Sequence, residues 1–186
     1  MDAAERACRI AMILMDVDGT LTDGTLSVQP DGTELKSYHV RDGLGILMAG
    51  AAGIKTGIIT GKTSQALLGR ADRLGIKDVY QGALDKRGAF KAILEKHELT
   101  PERVAFIGDD LGDLPVLEQA GLAAAVADAS AEVKARCHYV CSLPGGRGAV
   151  REFIEFILKA QGKWDGLCAR ITEIGKPVRT TPDPVQ

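Results

Sequence analysis

The sequence is poor in surplus cations, in aromatic residues and in long apolar runs. Lys plus Arg number 23 against 25 Asp plus Glu, a formal charge of −2. Without a basic excess the chain lacks the electrostatic footprint that nucleic acid or an anionic membrane surface requires. Its longest uncharged stretch, Gly43 to Ile54, is too short and too glycine-rich to span a bilayer. Met1-Asp2-Ala3-Ala4-Glu5 has neither a basic start nor an apolar signal core, so a cytoplasmic protein is expected. Cys8, Cys137, Cys141 and Cys168 form no Cys-x-x-Cys pair and read as free thiols of a reducing compartment. Cys137 and Cys141 flank His138, but no second ligand pair accompanies them. That segment reads as a short strand with buried thiols rather than a metal site. Hydrophobic residues at 45% and charged residues at 26% exclude disorder, collagen and coiled coil. A chain of 186 residues suits one domain with a full core.

What is present alternates between strand and helix patterns. Ile10 to Met15 is a continuous apolar run, as expected of a strand buried on both faces. Gly57-Ile58-Ile59, Val104 to Ile107 and Ala123 to Val126 repeat the theme. Between them, Ser64 to Leu74, Lys86 to His97 and Glu152 to Ala160 each place apolar residues on one helical face. The expected class is α/β, a Rossmann-like three-layer sandwich with a central parallel sheet. One segment breaks the pattern. Alternating residues on either side of Pro30-Asp31-Gly32-Thr33 predict a hairpin at about 25–39. The domain is expected over residues 1–164, with 165–186 as a loosely ordered tail.

The chemistry gathers at the strand ends. Asp16 and Asp18 leave the first strand directly, and alternation points them the same way while Val17 points elsewhere. The carboxyl end of a parallel strand is where such sheets bind ligands. Gly108-Asp109-Asp110-Leu111-Gly112-Asp113 repeats this at the end of the Val104–Ile107 strand. Acids at a helix N-terminus would account for Asp110 or Asp113, but less well for Asp109, the first residue off the strand. Carboxylates brought within a few ångströms repel by about 4 kcal/mol per pair at an effective dielectric near 20. Asp16 and Asp109 together therefore imply a hard divalent cation. Thr60-Gly61-Lys62 ends the third strand. It is not a P-loop, because Gly57 and Gly61 are too close together. A hydroxyl from Thr60 and a free N–H from Gly61 aimed at an anion is the better reading. Lys86, alone a solvated charge, gains meaning beside an acid-rich phosphate pocket.

Taken together, Asp16-Val17-Asp18-Gly19-Thr20, Thr60-Gly61, Lys86 and the 108–113 segment resemble the four motifs of the haloacid-dehalogenase-like phosphatases, over roughly residues 8 to 161. The resemblance implies Asp16 as nucleophile and Asp18 as general acid, then base. It implies Thr60 and Lys86 as holders of the phosphoryl oxygens. It further implies Mg²⁺ bound by Asp16, the backbone carbonyl of Asp18, and Asp109, with contact from Asp110 or Asp113 left open. The intervals between motifs hold the hairpin, helices and a strand, so there is no room for a cap domain.

Asp23-Gly24, Tyr38 to Gly43, Tyr80-Gln81-Gly82, Val126 to Ala129 and Gly145 to Glu152 are similar to one capless branch. Its members remove phosphate from 3-deoxy-D-manno-octulosonate (KDO) 8-phosphate, in lipopolysaccharide precursor synthesis. That branch implies a homotetramer in which the hairpin packs on neighbours. It implies substrate contacts at Asp18, His39, Val40, Arg41, Asp42, Gly43, Gly61, Lys62, Arg70 and Lys86. Arg41 and Arg70 suit the carboxylate of a sugar acid. Leu47 and Lys62 stand where the branch often carries a basic residue and Arg. A nine-carbon keto-deoxy acid 9-phosphate therefore stays open as substrate. A catalytically idle binding or assembly module is the remaining alternative, and retention of both Asp16 and Asp18 argues against it.

Overall fold

A computed structural model describes residues 1–174, with side chains described up to residue 170. Strand β1 (Met12–Met15) is buried along its whole length, which is why its residues are apolar without alternation. After α1 (Ala3–Ala7) and β1 come the hairpin strands β2 (Ser27–Val28) and β3 (Glu34–Leu35). The chain then alternates through α2 (Val40–Ala51), β4 (Lys55–Ile59), α3 (Gln65–Arg73), β5 (Asp78–Tyr80), α4 (Lys86–His97) and β6 (Val104–Gly108). It continues with α5 (Leu114–Leu117), β7 (Leu122–Ala125), α6 (Ala131–Lys134), β8 (Tyr139–Val140), α7 (Ala149–Ala160) and α8 (Trp164–Ile174).

Six strands form one parallel sheet in the order β5-β4-β1-β6-β7-β8. The order runs outward from β1 in both directions. Right-handed crossovers then place α2 and α3 on one face and α4, α5 and α6 on the other. Helix α7 returns to the first face, where it packs on α1 and α2. Phe153, Ile154 and Ile157 of α7 are fully buried there, each contributing about 1.5–3 kcal/mol. The expected α/β sandwich is what the chain forms. β5 and β8 join the four apolar runs as edge strands.

The hairpin is inserted between β1 and α2. Its strands pair Ser27 with Leu35 and Val28 with Glu34, across a turn in which Gly32 has φ +84. The Asp31 carboxylate accepts from the Thr33 N–H at 2.9 Å. All four strand residues are exposed.

The expectation of a loose tail from residue 165 needs correction. Trp164–Ile174 is helical. Leu167 is buried in the core, and the Trp164 ring lies 5.0 Å beneath the Arg151 guanidinium, which gives the segment a docking face. Residues 175–186 lie outside the described part of the chain.

Candidate active site

The carboxyl ends of β1, β4 and β6 meet at the centre of the sheet, because β1 lies between the other two. Asp16 follows β1 and Asp109 follows β6, while Asp113 reaches back from the turn before α5. One carboxylate oxygen from each of Asp16, Asp109 and Asp113 lies within 4.8 Å of the others. Asp16 and Asp113 are buried, and Asp109 is half-buried.

Gly19 makes this approach possible. Its φ is +91, and a Cβ there would lie 2.1 Å from Oδ2 of Asp109. The Thr20 hydroxyl donates to Oδ1 of Asp109 at 3.0 Å, fixing the carboxylate from the β1 side.

Lys86 is the cation of the cluster. Asp85 caps α4 by accepting from the Arg87 N–H at 3.1 Å, which starts the helix so that Lys86 projects into the site. Its Nζ donates to Oδ1 of Asp16 and to Oδ1 of Asp113, each at 2.5 Å. Burial would lower the lysine's pKa, but the two carboxylates outweigh it and hold the pKa above its ordinary value, so the ammonium stays charged. One ammonium does not balance three acids. Burial, then the nearby Asp113, push Asp16 up to about 6 against the pull of Lys86. Burial, then Asp16 and Asp113, push Asp109 up to about 7.

This surplus of negative charge is the fit test for a divalent cation, and the residues pass it. Hard oxygen donors converge from two strands, and burial, then repulsion from neighbouring carboxylates, raises both Asp16 and Asp109. Asp113 is already engaged. Its Oδ2 accepts from the N–H groups of Asp109 and Asp110 at 2.9 and 3.3 Å while Oδ1 takes Lys86. It orders the loop that presents Asp109. Asp16 and Asp109 are the acids left to face an ion.

Thr60, at the end of β4, is 2% exposed. Its N–H donates to the Tyr80 carbonyl at 2.9 Å, and its own carbonyl accepts from the Ala83 N–H at 3.0 Å. The backbone is thereby pinned to the β5 side. Gly61 is half-buried and Lys62 is exposed beside it.

The segment 39–43 divides. Arg70 crosses Gly43 so closely that a Cβ there would lie 2.3 Å from its Nη2, and its guanidinium sits 5.9 Å from the Tyr38 ring centroid. His39, Asp42, Gly43 and Arg70 wall a narrow pocket with about 10 Å³ of free space, too small for a sugar acid to enter. Asp42 is committed to structure as well, since its Oδ1 accepts from the Arg151 N–H at 2.8 Å in the first turn of α7. Val40 is 81% exposed. Arg41 lines a separate groove of about 750 Å³ with Leu44, Tyr139, Arg151 and Glu152.

Lys36 is a site residue that the sequence reading passed over. It leaves the hairpin toward Asp18, and its Nζ donates to Oδ1 of Asp18. Alternation from Glu34 was the available signal, because it sets Lys36 and Tyr38 on one side. Burial, then the charge of Asp18, push the Tyr38 hydroxyl up to about 12, with Arg70 opposing. The Cys137–Cys141 segment holds no metal cluster among the described residues. His138 Nδ1 instead accepts from the Ala123 N–H at 3.0 Å.

Comparison with known proteins gives the family. The sequence profile of the haloacid dehalogenase-like hydrolases matches residues 70–154. The 3-deoxy-D-manno-octulosonate 8-phosphate phosphatase KdsC of Yersinia pestis is 46% identical over 165 residues, covering 89% of this chain and 88% of that protein. The structure of the Moraxella catarrhalis phosphatase, solved with magnesium ion, phosphate ion and KDO, is 39% identical with a TM-score of 0.88. It covers 90% of this chain and 97% of that one. The cobalt-bound Haemophilus influenzae phosphatase is 43% identical with a TM-score of 0.83, covering 86% of this chain and 93% of that one. Likeness of this depth across nearly the whole chain, together with acids gathered at the ends of β1 and β6, leaves one assignment: the chain belongs to the haloacid dehalogenase-like hydrolases.

Proposed function

We propose that the chain is a Mg²⁺-dependent phosphatase that hydrolyses KDO 8-phosphate to KDO and phosphate through an aspartyl phosphate on Asp16. The observation that carries this reading is the convergence of Asp16 and Asp109 beside a charged Lys86. The relatives from Yersinia pestis and Moraxella catarrhalis, named for this reaction, supply the substrate.

Asp16 and Asp109 would hold the ion, with the backbone carbonyl of Asp18 as the third protein ligand. Bound Mg²⁺ supplies charge neutralisation between the carboxylate nucleophile and the phosphoryl oxygens. Asp16 attacks phosphorus, splitting one difficult hydrolysis into two easier steps. Lys86 fixes the attacking carboxylate and, with the Thr60 hydroxyl and the Gly61 N–H, receives the phosphoryl oxygens. Asp18 gives its proton to the departing sugar oxygen and then takes one from the water that cleaves the acyl phosphate. Lys62, exposed beside Gly61, is the cation left to meet the sugar acid, since Arg70 walls the narrow pocket.

The open site calls for a neighbouring subunit, and the proposed assembly is a homotetramer joined through the hairpin. Leu26, Val28 and Leu35 are each more than half exposed on this small insertion, and so is Val40 at the start of α2, which favours a covered surface. Light scattering that finds a monomer would remove this part of the reading. A cytoplasmic setting agrees with four unpaired cysteines. Among the described residues no helix is long and apolar enough to cross a membrane.

The experiment is phosphate release from KDO 8-phosphate, a nine-carbon keto-deoxy acid 9-phosphate and neutral sugar phosphates, each with and without Mg²⁺. The expected result is Mg²⁺-dependent turnover fastest on KDO 8-phosphate. Preference for a neutral sugar phosphate would reject the sugar-acid assignment.

A further inference from the structure

We propose that Lys36 is a positioning residue for Asp18 and acts on the departure of the sugar oxygen. The inference rests on the phosphatase function given above and adds a residue to its proton transfer. Strand β3 ends at Leu35, and the next residues carry the chain from the hairpin back to the domain. Alternation turns Lys36 and Tyr38 to the same side. Lys36 reaches Oδ1 of Asp18, and its side chain is only 4% exposed although the hairpin strands around it are exposed. A lysine covered to this degree is rare unless it has a charged partner, and Asp18 is that partner.

The other oxygen of Asp18, Oδ2, is buried and has no hydrogen-bond partner. The two oxygens are therefore unequal. A protonated carboxyl has one carbonyl oxygen, which accepts, and one hydroxyl, which donates. With Oδ1 held by the ammonium, Oδ2 is the oxygen left to act on the leaving group. As Asp16 bonds to phosphorus, the P–O bond to the sugar breaks. Its electron pair goes to the sugar oxygen, which takes the proton from Oδ2 of Asp18. Lys36 touches neither phosphorus nor the leaving oxygen in this scheme. It sets the rotamer of the acid. The Tyr38 hydroxyl, buried and unpartnered, is close enough to feel the charge of Asp18. The hairpin thus supplies from within the chain part of what a cap would do.

The test separates leaving groups. Nitrophenolate departs without a proton, whereas a sugar alkoxide needs one. Lys36→Met is expected to lower kcat on KDO 8-phosphate about 30-fold, since positioned acids contribute roughly 100-fold or more. On p-nitrophenyl phosphate the same variant is expected to lose less than about threefold, and Lys36→Arg to restore most of the sugar-phosphate rate. Equal losses on both substrates, or no loss on either, would overturn the assignment. Failure of the unaltered enzyme on KDO 8-phosphate would count against the substrate reading instead. The comparison is then made with the alkyl phosphate it hydrolyses fastest.

Discussion

At the start of β5, Asp78 is 5% exposed and fully matched: Lys96 Nζ lies 2.7 Å from one carboxylate oxygen and His97 Nε2 lies 2.8 Å from the other. Lys55 Nζ lies 2.8 Å from His97 Nδ1, extending the network along the same sheet edge. Burial would raise the acid, yet the bonds from Lys96 and His97 hold it below the ordinary carboxylate value. At the opposite edge, Asp16, Asp109 and Asp113 share the single ammonium of Lys86, and Asp16 and Asp109 are raised. Both edges bury aspartate. One balances it with the chain's own cations, as a structural clamp does, and the other keeps an anionic surplus that a metal ion and a phosphoryl group can use.

The difference can be broken by mutation. Asp16→Asn is expected to reduce phosphate release by roughly three orders of magnitude or more, because it removes the nucleophile. The metal-free variant should melt no lower than the parent in calorimetry, since a repelling carboxylate has gone. Lys86→Met should cost about 3 kcal/mol in metal-free urea unfolding by leaving buried acids uncompensated, and saturating Mg²⁺ should recover part of it. Its counterpart at the other edge, Asp78→Asn, should cost about 1–2 kcal/mol through weakened hydrogen bonds and leave kcat unchanged. A drop in kcat there would mean that the two edges are coupled.

The same contrast has a pH signature. Asp16 and Asp109 are raised from 3.8 to about 6 and about 7 in the folded state. Their favourable contribution is full below 3.8 and is lost as pH rises through 6 and 7, so the metal-free site is least stable at neutral pH and above. Asp78, lowered, contributes above the ordinary carboxylate value and loses its contribution as pH falls through its folded value. Mg²⁺ should therefore raise the melting temperature by a few degrees more at pH 8 than at pH 5.5. Equal shifts at both pH values, read by scanning fluorimetry, would contradict the raised acids.

The sheet was legible because strands buried on both faces must be apolar throughout, as at Met12–Met15 and Val104–Gly108. The two-residue β8 and the four-residue α5 and α6 are too short to carry a period. Asp16, Asp18 and Asp109 were legible from their place directly off or just beyond strands. The part played by Asp113 was left open, because it also serves as the N3 acid of a capping box with Asp110, and its bond to Lys86 spans 27 positions. The run His39–Gly43 reads as one binding segment, but α2 begins at Val40. From there the helical period turns His39, Asp42 and Gly43 toward Arg70 and sends Arg41 to another groove. The helix at Trp164–Ile174 was hidden because its docking partner, Arg151 of α7, is remote in sequence.

The most direct test of the central claim is chemical trapping during turnover. An acyl phosphate is reduced by borohydride, converting the phosphorylated aspartate to homoserine. Peptide mass analysis of protein quenched with borohydride while hydrolysing KDO 8-phosphate with Mg²⁺ should place that conversion at position 16 and nowhere else. Conversion at Asp18 or Asp109, or sustained turnover with no conversion at all, would contradict it.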